Sequence, residues 1–223
     1  MFFTEGKSKM SKLSKHYPKI LFAIYIVLFA YFAYEPDYFP IWVTENTIAV
    51  VTVIALLILY WRGIRFSNLA YSLMMIALIL QTIGGHYCFC GVPFDFVTDL
   101  FGFKRNNFDR VGHFAVGFFA IALMEYCESR EQIRSRWLNA LLAVMAIFGV
   151  AGIFEVIEWL YAEITASPEG YSKAGAEFLG SQGDYWDAQK DILCDGLGAI
   201  FTVMIYYIRY WKKNVAEIIG YKK

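Results

Sequence analysis

The sequence carries no net charge: 20 Lys and Arg residues offset 20 Asp and Glu, with only three His beside them. A nucleic-acid binder needs a basic face for the phosphates, so no nucleic-acid partner is expected. The four cysteines make no disulfide framework, because Cys88 and Cys90 share one connection, Cys127 ends an apolar block and Cys194 lies inside another. No small-residue cleavage pattern follows the first apolar block, which runs into Tyr34-Glu35-Pro36-Asp37. That block is therefore expected to stay as a span rather than leave as a signal peptide. Alternating segments about ten residues long, the mark of a membrane β-barrel, are missing. So are the Gly-x-Ser-x-Gly nucleophile elbow, the phosphate-binding Gly-Lys-Ser/Thr loop, the His-Glu-x-x-His zinc motif and the Glu-x-x-His pair of di-iron bundles. Serine hydrolysis and nucleotide hydrolysis lose their usual signatures.

What the sequence has in quantity is apolar residues, 58% of the chain, with 19% aromatic. That is too much for an ordinary soluble domain. The apolar residues fall into six blocks: Ile20–Tyr34, Thr47–Trp61, Leu69–His86, Val111–Cys127, Leu138–Tyr161 and Ala188–Trp211. A crossing takes about 20 residues. The first two blocks are short for one, and Lys19, Tyr38 and Trp42 at their flanks are expected to make up the length. Backbone polar groups must be satisfied internally in lipid, so each block reads as a helix. The expected fold is an all-α, polytopic membrane bundle of about six transmembrane helices forming one domain over residues 1–223.

Orientation follows from the basic residues. Lys7, Lys9, Lys12, Lys15 and Lys19 crowd the N-terminus, Arg62 and Arg65 the second connection, Arg130, Arg134 and Arg136 the fourth, and Arg209, Lys212, Lys213, Lys222 and Lys223 the tail. The alternate connections hold fewer. Both termini and the basic segment 1–19 are therefore expected to be cytoplasmic, with an outward loop at 162–186. The Gly-rich stretch Thr165–Gly183 within that loop is the expected mobile or substrate-covering segment, unless it is a passive connector.

Given this topology, polar groups from four block ends meet at the outward leaflet. Gln81, Thr82 and His86 close the third block. Asp109, Arg110 and His113 open the fourth, Glu155 and Glu158 end the fifth, and Asp184, Asp187, Asp191 and Asp195 run into the sixth. Asp109 and His113 are four apart, and Glu155 and Glu158 three apart, so each pair shares a helix face. Asp187, Asp191 and Asp195 form an i, i+4, i+8 line that descends about 12 Å from the helix start, with Gly198 continuing it. A carboxylate at membrane depth costs roughly 2.5–3.5 kcal/mol on insertion scales. So many crowded together must bind protons or a metal. His113, Glu158, Asp191 and Asp195 are the expected metal ligands, for a hard or borderline divalent ion such as Mg²⁺, Mn²⁺ or Zn²⁺. Glu155 or Asp187 is the candidate general base, and Arg110 the candidate holder of an anionic head group. Blander readings stand beside these: Asp184 and Asp187 as a helix cap and first-turn acid, and Arg110 as the structural ion-pair partner of Glu155 or Glu158.

The motifs Asp109-Arg110-Val111-Gly112-His113-Phe114, Phe154-Glu155-Val156-Ile157-Glu158-Trp159, Leu179 to Asp191 and Asp195-Gly196-Leu197-Gly198-Ala199 resemble the YjdF-type bacterial inner-membrane proteins, a domain of unknown function, over almost the whole chain. A more distant similarity runs to VanZ-like membrane proteins, which are linked to glycopeptide tolerance and the cell envelope. The resemblance implies a multi-pass protein of the bacterial inner membrane and supplies no substrate. The leading expectation is an outward-facing, divalent-metal-dependent site acting on a lipid or envelope-linked substrate, with membrane lipids as the surroundings. The competing ones are a proton- or cation-coupled transporter and a non-catalytic scaffold with a structural polar core.

Overall fold

The computed structural model describes residues 12–210 and 213–220. The expectations placed on Lys7, Lys9, Trp211, Lys212, Lys222 and Lys223 lie outside the described residues. Among those described, every regular element is helical: α1 (Lys12–Phe32), α2 (Phe39–Trp61), α3 (Asn68–His86), α4 (Asp95–Phe101), α5 (Phe108–Val116), a 3₁₀ turn (Gly117–Phe119), α6 (Ala120–Ser129), α7 (Arg136–Ile164), α8 (Lys173–Leu179), α9 (Asp187–Tyr210) and α10 (Val215–Ile218). Five stretches are long and apolar enough to cross a membrane, namely α2, α3, Phe108–Ser129, α7 and α9, and α1 adds a shorter apolar segment, His16–Phe32. The chain is a polytopic helical bundle.

Two boundaries differ from the apolar blocks for physical reasons. Helix α2 starts at Phe39 rather than Thr47, with Pro40 in its first turn where a missing N–H costs nothing. Its polar residues are absorbed by its own backbone: Thr44, Asn46 and Thr47 donate to the carbonyls of Pro40, Trp42 and Val43 at 2.9, 3.0 and 2.6 Å. The span is thus 23 residues and not short. The loop at 162–186 is not wholly irregular either. Ser172 caps α8, its hydroxyl accepting from Gly175 N at 2.9 Å, and Gly180 ends the helix at φ 62°. Phe178 of α8 seats edge-on against Tyr161 and Phe154 of α7, with ring centroids 5.0 and 6.2 Å apart.

Helix α9 lies between α5 and α7. The α5 crossing is a backbone contact: a Cβ at Gly198 would lie 1.8 Å from the Phe114 carbonyl oxygen, and one at Gly117 would lie 2.2 Å from Ala199 N. Lipid offers no hydrophobic drive between helices, so small residues that let backbones touch are what hold such a crossing. On the other side of α9, the Phe148 ring fills the space over Gly196.

The bundle has two unlike ends. One carries the connections 62–67 and 130–135 with Arg62, Arg65, Arg130, Arg134, Arg136, Arg209 and Lys213, and is called here the basic face. Its acids are tied down: Glu125 Oε2 accepts from Ser67 N at 2.8 Å, and Glu128 takes Arg136 at 2.7 Å and the Tyr206 hydroxyl at 2.6 Å. The other end carries α4, α8 and the N-termini of α2, α5 and α9.

Candidate functional site

At that second end the polar residues of α5 and α9 interlock. Arg105, in the segment before α5, meets Asp187 and lies 3.4 Å from Asp109 Oδ2. Arg110 pairs with both Asp187 and Asp191, reaches Asp184 at 3.4 Å and donates to the Asp187 carbonyl at 3.1 Å. Arg110 therefore serves α9, not Glu155 or Glu158 on α7 as the ion-pair reading had it. Lys190 closes the rim on Asp184 with contacts of 2.6 and 2.8 Å. That hydrogen bond, and a second from Trp186 N, hold the Asp184 carboxyl below its usual range. Its contribution to the fold is present above the unfolded carboxyl's range and lost as pH falls through the lowered folded value.

One turn deeper, His113 gathers four acids. Its Nδ1 lies 2.9 Å from Asp195 Oδ2, and its Nε2 lies 3.5 Å from Asp109 Oδ1, 3.8 Å from Asp191 Oδ1 and 3.9 Å from Glu155 Oε1. One oxygen each of Glu155 and Asp195 is buried without a hydrogen-bond partner, and Asp195 is only 1% exposed. Side-chain atoms of Asp109, His113 and Asp191 come within 4.8 Å of one another.

The site opens into a cavity of about 230 Å³. Glu45, Gln81, Asp109, His113, Glu158 and Asp195 form its polar wall, and Phe178, Leu179 and Gly180 from α8 and the turn after it roof it. Glu177 joins the roof, and one side wall is apolar: Ile48 of α2 and Val150, Ile153 and Ile157 of α7, all exposed on the outside of the bundle. Helix α8 packs against both α2 and α7 and so covers the cleft between them from above.

The seven residues given roles from the sequence lie at this end, whereas His86, expected in the same cluster, meets the Phe32 carbonyl at 2.9 Å. Asp187 and Arg110 are bound to each other, Asp191 is shared between Arg110 and the His113 neighbourhood, Asp195 holds the imidazole, Glu155 faces Nε2, and Glu158 lines the cavity. Sequence reasoning passed over Arg105 and Glu45 as site residues, and it placed Gln81 and Asp109 in the cluster without giving either a role of its own. Glu45 is buried and is met by Gln81 Nε2 at 2.9 Å. The signal for it was the Thr44-Glu45-Asn46 triplet between apolar residues. Cys88 and Cys90 are both unpaired thiols. Burial, reinforced by the Glu177 carboxylate, pushes Cys88 up to about 12 and raises Cys90 too.

A family described as "Predicted membrane protein (DUF2238)" matches residues 17–212. The chain belongs to that family. The inner membrane protein YjdF of Escherichia coli (strain K12) is 34% identical over 165 residues, 73% of this chain and 76% of that protein. No solved structure matches. These matches bear on the first of the two resemblances drawn from the sequence. This DUF2238 chain is accordingly a multi-pass protein of the inner membrane, and every residue of the acid–histidine site falls inside the matched segment.

Proposed function

We propose that the chain binds a divalent cation at Asp109, His113 and Asp191 and acts on a lipid or envelope-linked substrate that enters sideways from the bilayer between α2 and α7. The observation that carries this reading is the surroundings of His113. In the tautomer that donates Nδ1–H to Asp195, Nε2 is left to ligate a cation lying among three carboxylate oxygens 3.5–3.9 Å away. Tetrahedral donors about 2.1 Å from an ion are roughly 3.4 Å from each other, so the spacing suits a cation among them. A carboxylate behind a ligating histidine is also the usual device for fixing its tautomer.

A bound divalent ion supplies polarisation of a phosphoryl or acyl oxygen and an acidified water. The chain's own groups divide the remaining work. Asp195 orients the imidazole. Glu155, with one buried oxygen free, is placed to take a proton from an attacking water. Glu45 with Gln81, and Glu158, face the cavity as acceptors for hydroxyl groups of a head group. Arg105 and Arg110 neutralise Asp187, and Arg110 also meets Asp191 at Oδ1, the oxygen that faces His113 Nε2, which leaves Arg110 committed within the protein. Orientation with this site outward rests on the Lys and Arg of the basic face.

The relay reading has less support. Between Asp195 and Glu125 on the opposite face the interior is filled by Met74, Phe118, Ile121 and Ala199, and Thr202 spends its hydroxyl on the Gly198 carbonyl at 2.8 Å.

Elemental analysis of the detergent-purified protein tests the cation. Wild type is expected to hold a stoichiometric divalent metal, Asp191→Asn to lose it, and Asp195→Asn to bind it roughly 10–100-fold more weakly, as for a lost second-sphere carboxylate. Metal absent from wild type after dialysis against Mg²⁺, Mn²⁺ and Zn²⁺ in turn would sink the reading and leave a structural polar core.

A further inference from the structure

The basic face holds two cavities that the acid–histidine site does not use. One, of about 510 Å³, is an apolar groove among α1, α2 and α3, walled by residues such as Leu21, Phe22, Leu57, Met74 and Leu78. The other, of about 480 Å³, opens at the membrane boundary and is lined by Arg65, Arg209 and Lys213 together with Ser67, Asn68 and Tyr210. They are continuous: Pro18, Tyr60 and Tyr71 line both.

Charge and shape together say what fits. Among the described residues no Asp or Glu lines either cavity, and Lys19 adds a further cation at the mouth of the groove. Among the described residues Arg209 and Lys213 form no ion pair and are exposed. Arg65 is fixed in place, its guanidinium 3.5 Å from the Tyr60 ring centroid and bonded to the Tyr60 carbonyl. Three cations at the interfacial level, one of them held rigidly, make a seat for a phosphate. From Tyr71 to Leu78 the groove continues about 10 Å toward the membrane interior along α3. Soluble phosphate would use the basic pocket alone and leave that apolar length empty. We propose that the two cavities form one binding site for an anionic phospholipid, its phosphate against Arg65, Arg209 and Lys213 and one acyl chain in the α1–α2–α3 groove. The site stands apart from the acid–histidine centre, on the opposite end of the bundle, and does not depend on that centre's function.

Native mass spectrometry of the full chain in detergent, titrated with phosphatidylglycerol or with phosphatidylcholine of the same acyl composition, is the direct test. Wild type is expected to retain phosphatidylglycerol at least roughly tenfold better, since each interfacial basic residue favours an anionic lipid. Arg209→Gln/Lys213→Gln, at exposed positions, is expected to lose most of that preference. Leu57→Trp, which plugs the groove and leaves every cation in place, is expected to lower retention as well. Metal content and thermal stability of these variants should match wild type, which separates this site from the other. Equal retention of the two lipids, retention unchanged by the charge variant or by Leu57→Trp, or displacement of the lipid by glycerol phosphate at equal concentration would each overturn the proposal.

Discussion

Gly198→Leu is expected to abolish the folded protein. At this position α5 and α9 touch through their backbones, and an added Cβ would lie 1.8 Å from the Phe114 carbonyl oxygen and 2.8 Å from its carbon. A side-chain neighbour could rotate away; a helix backbone cannot. The two helices would have to separate, and the separation would pull on every contact strung along the same seam, from His113–Asp195 to the pairs of Arg110 with Asp187 and Asp191. Size-exclusion chromatography in detergent should show the monodisperse peak replaced by aggregate. Gly149→Leu is the control, because nothing lies within 4 Å of a Cβ there and α7 faces lipid at that point. A folded, monodisperse Gly198→Leu protein would mean that the seam is looser than described. Gly196→Leu should fall between the two, since the atoms it meets belong to the Phe148 ring, which can turn.

Arg110→Met is expected to be the most damaging change that adds no bulk. Its guanidinium is the shared counter-charge of Asp184, Asp187 and Asp191. Asp187 and Asp184 keep other cations, in Arg105 and Lys190, but among the described residues Asp191 is left with no arginine and stays buried. Removing one partner of a buried pair typically costs about 3–5 kcal/mol, because an uncompensated charge remains. Thermal unfolding in detergent should show a large loss for Arg110→Met, and Arg110→Met/Asp191→Asn should recover a substantial part of it, as the stranded carboxylate is then gone. A double variant no more stable than the single one would place the cost elsewhere in the cluster. Arg110→Lys should not substitute well, since one ammonium cannot span Asp187 and Asp191 as a planar fork does.

The reach of the sequence follows the physics of each feature. Span existence was legible because lipid demands long apolar helices, and blocks such as Leu138–Tyr161 and Ala188–Trp211 foreshadow α7 and α9 closely. The Asp187, Asp191, Asp195 line and the Asp109, His113 pair were legible because helical periodicity fixes which residues share a face. The start of α2 was not, since Thr44, Asn46 and Thr47 look like loop residues until they are seen bonding their own helix's carbonyls. With the start of α2 went Glu45. Partner choice was not legible either: Arg110 pairs with α9 rather than with Glu155 or Glu158 because α9 lies between α5 and α7, and packing order leaves no trace in one sequence. Helix α8, seven residues in a Gly-rich stretch, is too short for periodicity to reveal.

The interlock of α5 with α9 also sets a schedule for biogenesis. Spans leave the insertion machinery in order, and each polar residue that enters lipid without a partner carries a penalty of a few kcal/mol. The span beginning at Phe108 has a mean hydropathy of 1.3 and α9 one of 1.5, against 2.5 for α7 between them. Arg110 meets Asp187 only once that residue has been synthesised 77 residues later, and His113, which already has Asp109 beside it, meets Asp195 only 82 residues later. The fourth span must therefore wait, beside the insertase or at the interface, for the last one to arrive. Chains that stop short of residue 184 would present Arg110 to the bilayer without Asp184, Asp187 and Asp191, a ready mark for membrane quality control.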